Sequence, residues 1–285
     1  MLKLQTRVDL LPARVRISCD DTVMVLGSCF ADNIGARMQH AGFDVCVNPF
    51  GTLYNPVSVA KSVARLDSGE PFTQKDCVEM GAGAGLICSF SHHTSFARPA
   101  AGEFLDAAND ALAEASRQWR RAGKVIITLG TVWCFRHLQD GKIVSNCLKR
   151  PAGEFSRERL SLDETSSILS RIVSEHPDKE FIFTVSPIRH LSDGAHANQL
   201  SKSTLLLAID SISDDRRADY FPSYEIMMDE LRDYRFYDED MSHPTSQAVD
   251  YIWERFCDFA VPESEHRTLQ ENTKAYRRSR HRPLH

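Results

Sequence analysis

The sequence predicts an α/β protein, a single three-layer α/β/α domain around a mainly parallel sheet of about five strands. Short apolar runs alternate along the chain with longer segments whose apolar residues recur at helical spacing. Two of the runs, residues 22–26 and 124–129, show no polar alternation, which is typical of strands buried on both faces. No internal repeat or linker divides the 285 residues, so residues 1–261 are predicted as one domain.

The first third of the chain begins with a strand at about 22–26 that stops at Gly27. A helix follows from Phe30 and ends at Gly42, a glycine suited to a helix C-terminus. Residues 43–47 alternate as a second strand, and Pro56 fits the first turn of a helix over 57–66. Residues 77–88 then resemble a hairpin around a glycine-rich turn.

The remaining elements follow the same alternation. They are a helix over 102–121, a strand over 124–129, an irregular excursion over 131–150, a helix opened by a capping box at Ser161–Glu164, a strand over 180–185, a helix over 195–212, a short strand over 219–222 and a helix over 245–260. Residues 262–285 are polar and basic, so we expect a loosely held tail.

Composition excludes several classes of protein. A formal net charge of -5 gives no electrostatic reason to bind nucleic acid. The 8 cysteines contain no C-x-x-C pair, which argues against a zinc site, and the N-terminus does not resemble a secretory signal. No apolar stretch approaches the roughly 20 residues of a membrane span. We therefore predict a cytoplasmic protein without metal, cofactor, membrane or nucleic-acid partner; the sequence leaves its oligomeric state open.

The turns that follow the predicted parallel strands define a candidate site. Such turns share one edge of a sheet, so 27–28, 48–51, 130–131 and 186–190 should converge, and open α/β sheets bind ligands at this edge. Ser28 stands there at the start of a helix, whose N-terminus favours negative charge. A serine hydroxyl is a poor nucleophile without a base.

Asp240-x-x-His243 offers that base just before the last helix. The carboxylate of Asp240 would fix the tautomer of the His243 imidazole and stabilise the imidazolium formed when the serine proton is removed. The alternative interpretation of the same four residues is a solvated turn in an acidic stretch.

Several stretches of this chain resemble one known family, the GSCFA domain family, whose architecture resembles that of the SGNH/GDSL hydrolases. The resemblance covers about residues 5–260 and rests on Gly27-Ser28-Cys29-Phe30-Ala31, Asn48-Pro49-Phe50-Gly51-Thr52, Thr128-Leu129-Gly130-Thr131, Asn146-Cys147, residues 184–190, residues 220–225 and Asp240-Met241-Ser242-His243-Pro244. It implies a flavodoxin-like sheet, Ser28 as the nucleophile, and Asp240 and His243 as the D-x-x-H pair.

The resemblance also implies an oxyanion hole, with one departure. Gly51 resembles the glycine whose backbone N–H helps to form that hole. The third block of the SGNH pattern carries an asparagine that Gly130-Thr131-Val132-Trp133 lacks. We expect the amide of Asn146 or the hydroxyl of Thr131 to take its place.

Other residues at this edge have two interpretations each. Cys29 is either a thiol nucleophile or a core residue, and His93, with its neighbour His92, either binds substrate or lies on the surface after the hairpin. Arg189 and His190 either bind a carboxylate or phosphate or cover the end of the sheet. A metal site built from histidines lacks supporting spacing.

The predicted function is serine-dependent hydrolysis of a small O-acylated substrate, a carbohydrate ester among the candidates, with Ser28 as nucleophile, His243 as base and Asp240 as its orienting group. If water is excluded and a second alcohol admitted, the same residues make an O-acyltransferase. The remaining alternative is a catalytically inactive binding or scaffold protein with the same shape.

Overall fold

A five-stranded, wholly parallel sheet forms the centre of the computed structural model, which describes residues 5–280. The ten strands are β1 Thr22–Gly27, β2 Asp44–Val47, β3 Val78–Glu79, β4 Ile87–Cys88, β5 Lys124–Leu129, β6 Trp133–His137, β7 Ile143–Val144, β8 Phe155–Arg159, β9 Glu180–Val185 and β10 Ala218–Phe221. The helices are α1 Cys29–Ala41, α2 Pro56–Ser68, α3 Ala101–Arg121, α4 Leu162–Glu175, α5 Ala195–Asp210, the short α6 Ser223–Glu225, α7 Ser246–Ala260 and α8 His266–Arg280.

The strand order across the main sheet is β10-β9-β5-β1-β2. This is the flavodoxin-like order, in which the chain moves outward from β1 to β2 and then returns across β1 to β5. The strand order therefore reverses beside β1, and a crevice at its carboxyl end is the expected ligand site. The predicted fold class is confirmed.

Helices cover both faces of the sheet, which explains the continuous apolar runs. Met24 and Leu26 of β1 face a core shared with α2, α3, α4 and α5. Val23 and Val25 face the opposite core, shared with α1, α7 and α8. All four side chains are fully buried, so neither face of β1 has a position for a polar residue.

Two small antiparallel sheets lie outside the main sheet. Residues 78–88 form the predicted hairpin, β3 with β4. The excursion after β5 forms a second sheet in the order β7-β6-β8. Strand β8 was not predicted, because Phe-Ser-Arg-Glu-Arg has one large apolar residue and no buried position.

The C-terminal segment corrects one expectation. Residues 266–280 of the predicted loose tail form helix α8, which packs on α1. Leu269 is buried, the Nδ2 of Asn272 donates to the carbonyl of Ala41 at 2.9 Å, and the Tyr276 and His40 rings stack at 3.9 Å. One buried leucine on an otherwise polar helix gives too weak an apolar pattern to predict it.

Two predictions extend beyond the described residues. One is that the N-terminus, which includes residues 1–4, is not a secretory signal, and the other concerns residues 281–285 at the end of the tail. Within residues 5–280, no helix is both long enough and apolar enough to cross a membrane.

Candidate functional site

The turn from β1 into α1 requires a glycine. Gly27 has a φ of +137°, and a Cβ added there would lie 2.1 Å from the carbonyl oxygen of Thr128 on the neighbouring strand. The N–H of Gly27 donates to Oδ1 of Asn48 at 2.8 Å, and the N–H of Ser28 donates to the Thr128 carbonyl at 3.0 Å. These contacts join the ends of β1, β2 and β5 at one edge, as the sequence predicts.

Ser28 serves as the N-cap of α1. Its backbone is extended, with φ -68° and ψ 175°, and its Oγ accepts the N–H of Phe30 at 3.3 Å. The residue is only 1% exposed. A hydroxyl in this position satisfies one of the free N–H groups at the start of the helix, which is the ordinary role of a capping serine.

The next residue, Cys29, makes the contact with His243 that the sequence predicts for Ser28. Its Sγ lies 3.6 Å from Nε2 of His243, whereas the hydrogen bonds of the described residues include none between Ser28 and His243. The capping position holds the Ser28 side chain against its own helix, and the first helical residue points its side chain out at the edge. Among the described residues Cys29, and not Ser28, therefore makes the contact with His243, and the role of Ser28 as nucleophile stays a prediction.

Asp240 and His243 pair within a single loop. The Nδ1 of His243 lies 2.5 Å from Oδ2 of Asp240, and the other carboxylate oxygen accepts the backbone N–H groups of Ser242 and His243, both at 2.9 Å. These two backbone donors, then the imidazole, hold the pKa of Asp240 well below its usual range. With Nδ1–H directed at Asp240, Nε2 is left as the acceptor that faces Cys29.

The surroundings of the Cys29 thiol keep it protonated near neutral pH. Burial and the nearby carboxylate of Asp32 raise its pKa above the usual 9.0. The backbone N–H groups of Cys29 and Phe30, and the ammonium of Lys202, act in the opposite direction. A thiol in this environment needs a base to become a nucleophile.

The predicted oxyanion-hole donors of Gly51 and Thr131 have other partners, whereas Asn146 is bonded through its amide oxygen. The N–H of Gly51 donates to the Asn48 carbonyl at 2.8 Å inside a turn, so this donor is already used. The Thr131 hydroxyl lies 3.0 Å from Oγ of Ser201 and accepts the N–H of Trp133 at 3.1 Å. The Oδ1 of Asn146 accepts the N–H of Leu148 at 2.8 Å. Each residue stabilises a loop, and the hydrogen bonds of residues 5–280 join none of the three to Cys29 or His243.

Tyr54 lies at the same edge and was not predicted as a site residue from the sequence. Its carbonyl accepts the N–H groups of Gly130 and Thr131 at 2.8 and 2.9 Å, which fixes it at the end of β5. Burial, and the negative charge that Cys29 and Asp32 can carry, raise the pKa of its hydroxyl. The hydroxyl accepts from Thr52 at 3.2 Å and keeps its own proton to donate. A tyrosine just after the 48–51 turn was the available signal.

Arg189 and His190 lie beside the His243 loop. The N–H of Arg189 donates to the Ser242 carbonyl at 3.1 Å, and its Nε is buried without a hydrogen-bond partner in the described structure. The His190 ring packs edge-on against Tyr54, with 6.2 Å between ring centroids. Burial, and next the ammonium of Lys202, lower the pKa of His190 to about 4, so this imidazole is neutral at pH 7.

The two histidines after the hairpin take different places. His93 caps a short helical turn, with its Nδ1 3.0 Å from Oγ of Ser95, and packs so closely on Gly51 that a Cβ there would lie 2.2 Å from its own. His92 is fully buried, and its ring is surrounded by those of Phe50, Phe72, Phe96 and Phe104. Within residues 5–280, no three His, Cys, Asp or Glu side chains are grouped so as to hold a metal ion.

Comparison with known proteins gives one positive result. The GSCFA family profile matches residues 22–256, which include the β1–α1 turn and the Asp240–His243 loop. A search of curated proteins finds no match to this chain. Since the matched segment spans most of the sequence, the chain belongs to the GSCFA family.

Proposed function

We propose that this protein hydrolyses acyl esters through a covalent thioester at Cys29, with His243 as the base and Asp240 as its orienting group. The observation that carries the proposal is the 3.6 Å distance between Sγ of Cys29 and Nε2 of His243, whose other nitrogen faces a carboxylate. A nucleophile, a base and a group that orients the base are the parts that acyl transfer needs. The likeness to SGNH hydrolases supports the same class of reaction.

The reaction has two halves. The Cys29 thiol gives its proton to Nε2 of His243, the sulfur attacks the acyl carbonyl, and the carbon–oxygen bond to the alcohol breaks as His243 returns the proton to that alcohol. Water then loses a proton to His243 and attacks the thioester, which releases the carboxylic acid and restores the thiol. The Asp240 carboxylate stabilises the imidazolium in both halves.

The negative oxygen formed at each attack needs hydrogen-bond donors. The N–H of Cys29 belongs to the first turn of α1, where backbone N–H groups are free and the helix dipole favours negative charge. We assign the second donor to the hydroxyl of Tyr54, in place of the residues that the sequence suggested. Donors of this kind contribute about 2.7–4 kcal/mol each to the transition state.

The exposure of the site favours hydrolysis over transfer to a second alcohol. The side chains of His243 and Asp240 are 47% and 50% exposed, so water reaches the base directly. Arg189 supports an ester whose acyl or alcohol part carries a carboxylate or phosphate, because its guanidinium has no carboxylate within 4.0 Å among the described residues. Carbohydrate esters remain candidates for the alcohol part.

The test compares Cys29→Ala with Ser28→Ala in the hydrolysis of p-nitrophenyl acetate. We expect Cys29→Ala to abolish turnover. It should also abolish the acetyl adduct that mass spectrometry detects on the peptide that contains residue 29. Ser28→Ala should keep the adduct and lose about 1 kcal/mol of stability as a lost helix cap. Cys77→Ala, which removes a partly exposed thiol elsewhere, controls for unspecific acetylation.

The outcomes separate the alternatives. Loss of the adduct in Ser28→Ala but not in Cys29→Ala would restore the serine as nucleophile. No adduct in the wild type, with several acyl esters, would favour the scaffold alternative. Loss of deacylation but not of acylation in His243→Ala would show that His243 does not deprotonate the thiol.

A further inference from the structure

A second feature of the same edge is a buried lysine that the proposed reaction does not use. Lys202 lies on the sheet side of α5 and is fully buried. Its Nζ donates to the carbonyls of Gly130 at 2.7 Å and Ser186 at 2.8 Å, the residues that follow β5 and β9. The ammonium therefore joins the ends of two central strands at the edge where Cys29 lies.

Burial of the Lys202 ammonium has a cost in desolvation free energy. An ammonium removed from water costs several kcal/mol when no carboxylate compensates it. The carboxylate of Asp193 raises the pKa of Lys202, but it is already paired with Arg157. A methionine would fill the same space without the desolvation cost, but it would leave the carbonyls of Gly130 and Ser186 without this donor.

The groups around Cys29 come from four elements. His243 faces it from its loop, Asp32 from α1, Tyr54 from the segment after β2, and Lys202 from α5. The carboxylate of Asp32 raises the pKa of the Cys29 thiol, whereas the ammonium of Lys202 lowers it. Around Lys202 itself lie Arg189, Asp193, His190 and the Tyr224 ring, 5.8 Å from Nζ.

We propose that Lys202 is a positioning residue that holds the ends of β5 and β9 together and supplies a buried positive charge that stabilises negative charge on Cys29. This inference rests on the proposed role of Cys29 as a nucleophile. Burial lowers the pKa of Lys202 to about 7, so its charge is present below that pH and acts there.

The chain supplies a matched control. Lys179 is also buried, and its Nζ donates to the backbone carbonyls of Trp119 and Ala122 at 2.9 and 3.0 Å and, unlike Lys202, to a carboxylate, that of Asp178, at 3.2 Å. It precedes β9, at the opposite edge of the sheet, about 23 Å from Ser186 at about 3.3 Å per residue. Removing either lysine perturbs the sheet, but only Lys202 is placed to affect Cys29.

The first experiment measures how fast iodoacetamide alkylates Cys29 at pH 6, by mass spectrometry of the residue 29 peptide. Alkylation follows the thiolate fraction. We expect Lys202→Met to slow it about tenfold, from a charge effect of about one pKa unit, and Lys179→Met to leave it within about twofold. Equal slowing by both variants would overturn the inference.

The second experiment needs no lysine variant, in case Lys202→Met does not fold. Wild-type protein with ¹³C-labelled lysine is alkylated at Cys29 with iodoacetate, which leaves a negative group, or with iodoacetamide, which leaves a neutral group of similar size. The Lys202 Cε resonance should titrate about one pH unit higher in the first adduct. Identical midpoints would refute the coupling. Neither readout depends on ester turnover. If the protein hydrolyses no ester but Lys202 and Cys29 are coupled in these experiments, only the proposed function is refuted.

Discussion

Gly35 lies in the middle of α1, on the face that packs against β2, and we expect its replacement by alanine to destabilise the protein. A Cβ at this position would lie 2.4 and 2.7 Å from the two methyl groups of Val47. Carbon atoms attract best at about 3.5–4.0 Å, so a methyl group forces the helix away from the strand. This contact helps to set the position of α1, which carries Cys29 at its N-terminus.

The magnitude follows from two opposing effects. Alanine in place of glycine inside a helix gains about 1 kcal/mol, while overpacking of a core costs about 1–3 kcal/mol. Gly35→Ala should therefore destabilise by about 1 kcal/mol. In a Val47→Ala background the methyl groups are gone and the nearest remaining atom is Cβ of residue 47 at 3.1 Å, so the same change should stabilise by about 0.5–1 kcal/mol.

The assay is urea unfolding of the four proteins of this cycle, followed by tryptophan fluorescence and far-ultraviolet circular dichroism so that two probes test two-state behaviour. Gly102→Ala, in the first turn of α3 with nothing within 4 Å of the added Cβ, is the control and should not destabilise. If Gly35→Ala changes stability by the same amount in both backgrounds, within about 0.5 kcal/mol, the close contact does not explain the glycine.

Two further predictions concern single side chains. Burial lowers the pKa of His92 from 6.5 to about 4, so between these pH values the unfolded chain binds a proton that the folded chain does not, and acid destabilises the fold. His92→Phe should therefore remove about 2 kcal/mol of the stability that is lost between pH 8 and pH 5. If urea unfolding at the two pH values shows the same loss of stability in the variant, this prediction is wrong. Tyr54→Phe should lower kcat for ester hydrolysis by about 10²-fold, whereas Tyr251→Phe on α7, which loses a hydrogen bond to Glu230, should not. Equal effects of the two tyrosine variants would remove Tyr54 from the oxyanion hole.

The sheet and most helices could be predicted from the sequence because their signals are local. Buried parallel strands are continuous apolar runs, and Gly42, Pro56 and the Ser161–Glu164 capping box mark helix ends by their own chemistry. Strand β8 and helix α8 lack such signals, since each depends on contacts with distant residues. Convergence of the strand-end turns followed from topology alone.

The site was harder to predict, because it depends on which way neighbouring side chains point. Ser28 and Cys29 are adjacent, and only the helix start in the structure shows that one caps α1 while the other faces His243. Lys202 had a usable signal, since it lies four residues after Asn198 and three before Leu205 on the buried face of α5. A lysine on that face is unusual enough to be a candidate for function.

The loop that carries Asp240 and His243 has a consequence for how the candidate site is assembled. The carboxylate and imidazole are three residues apart and bond to each other inside one turn, while Cys29 belongs to the start of α1. Outward movement of the loop would carry the pair as one rigid unit, breaking the Arg189–Ser242 hydrogen bond and the contact with Cys29. The distance between Cys29 and His243 would then change while the Asp240–His243 pair stayed intact, so the position of one surface loop sets whether the two parts of the candidate site are in contact.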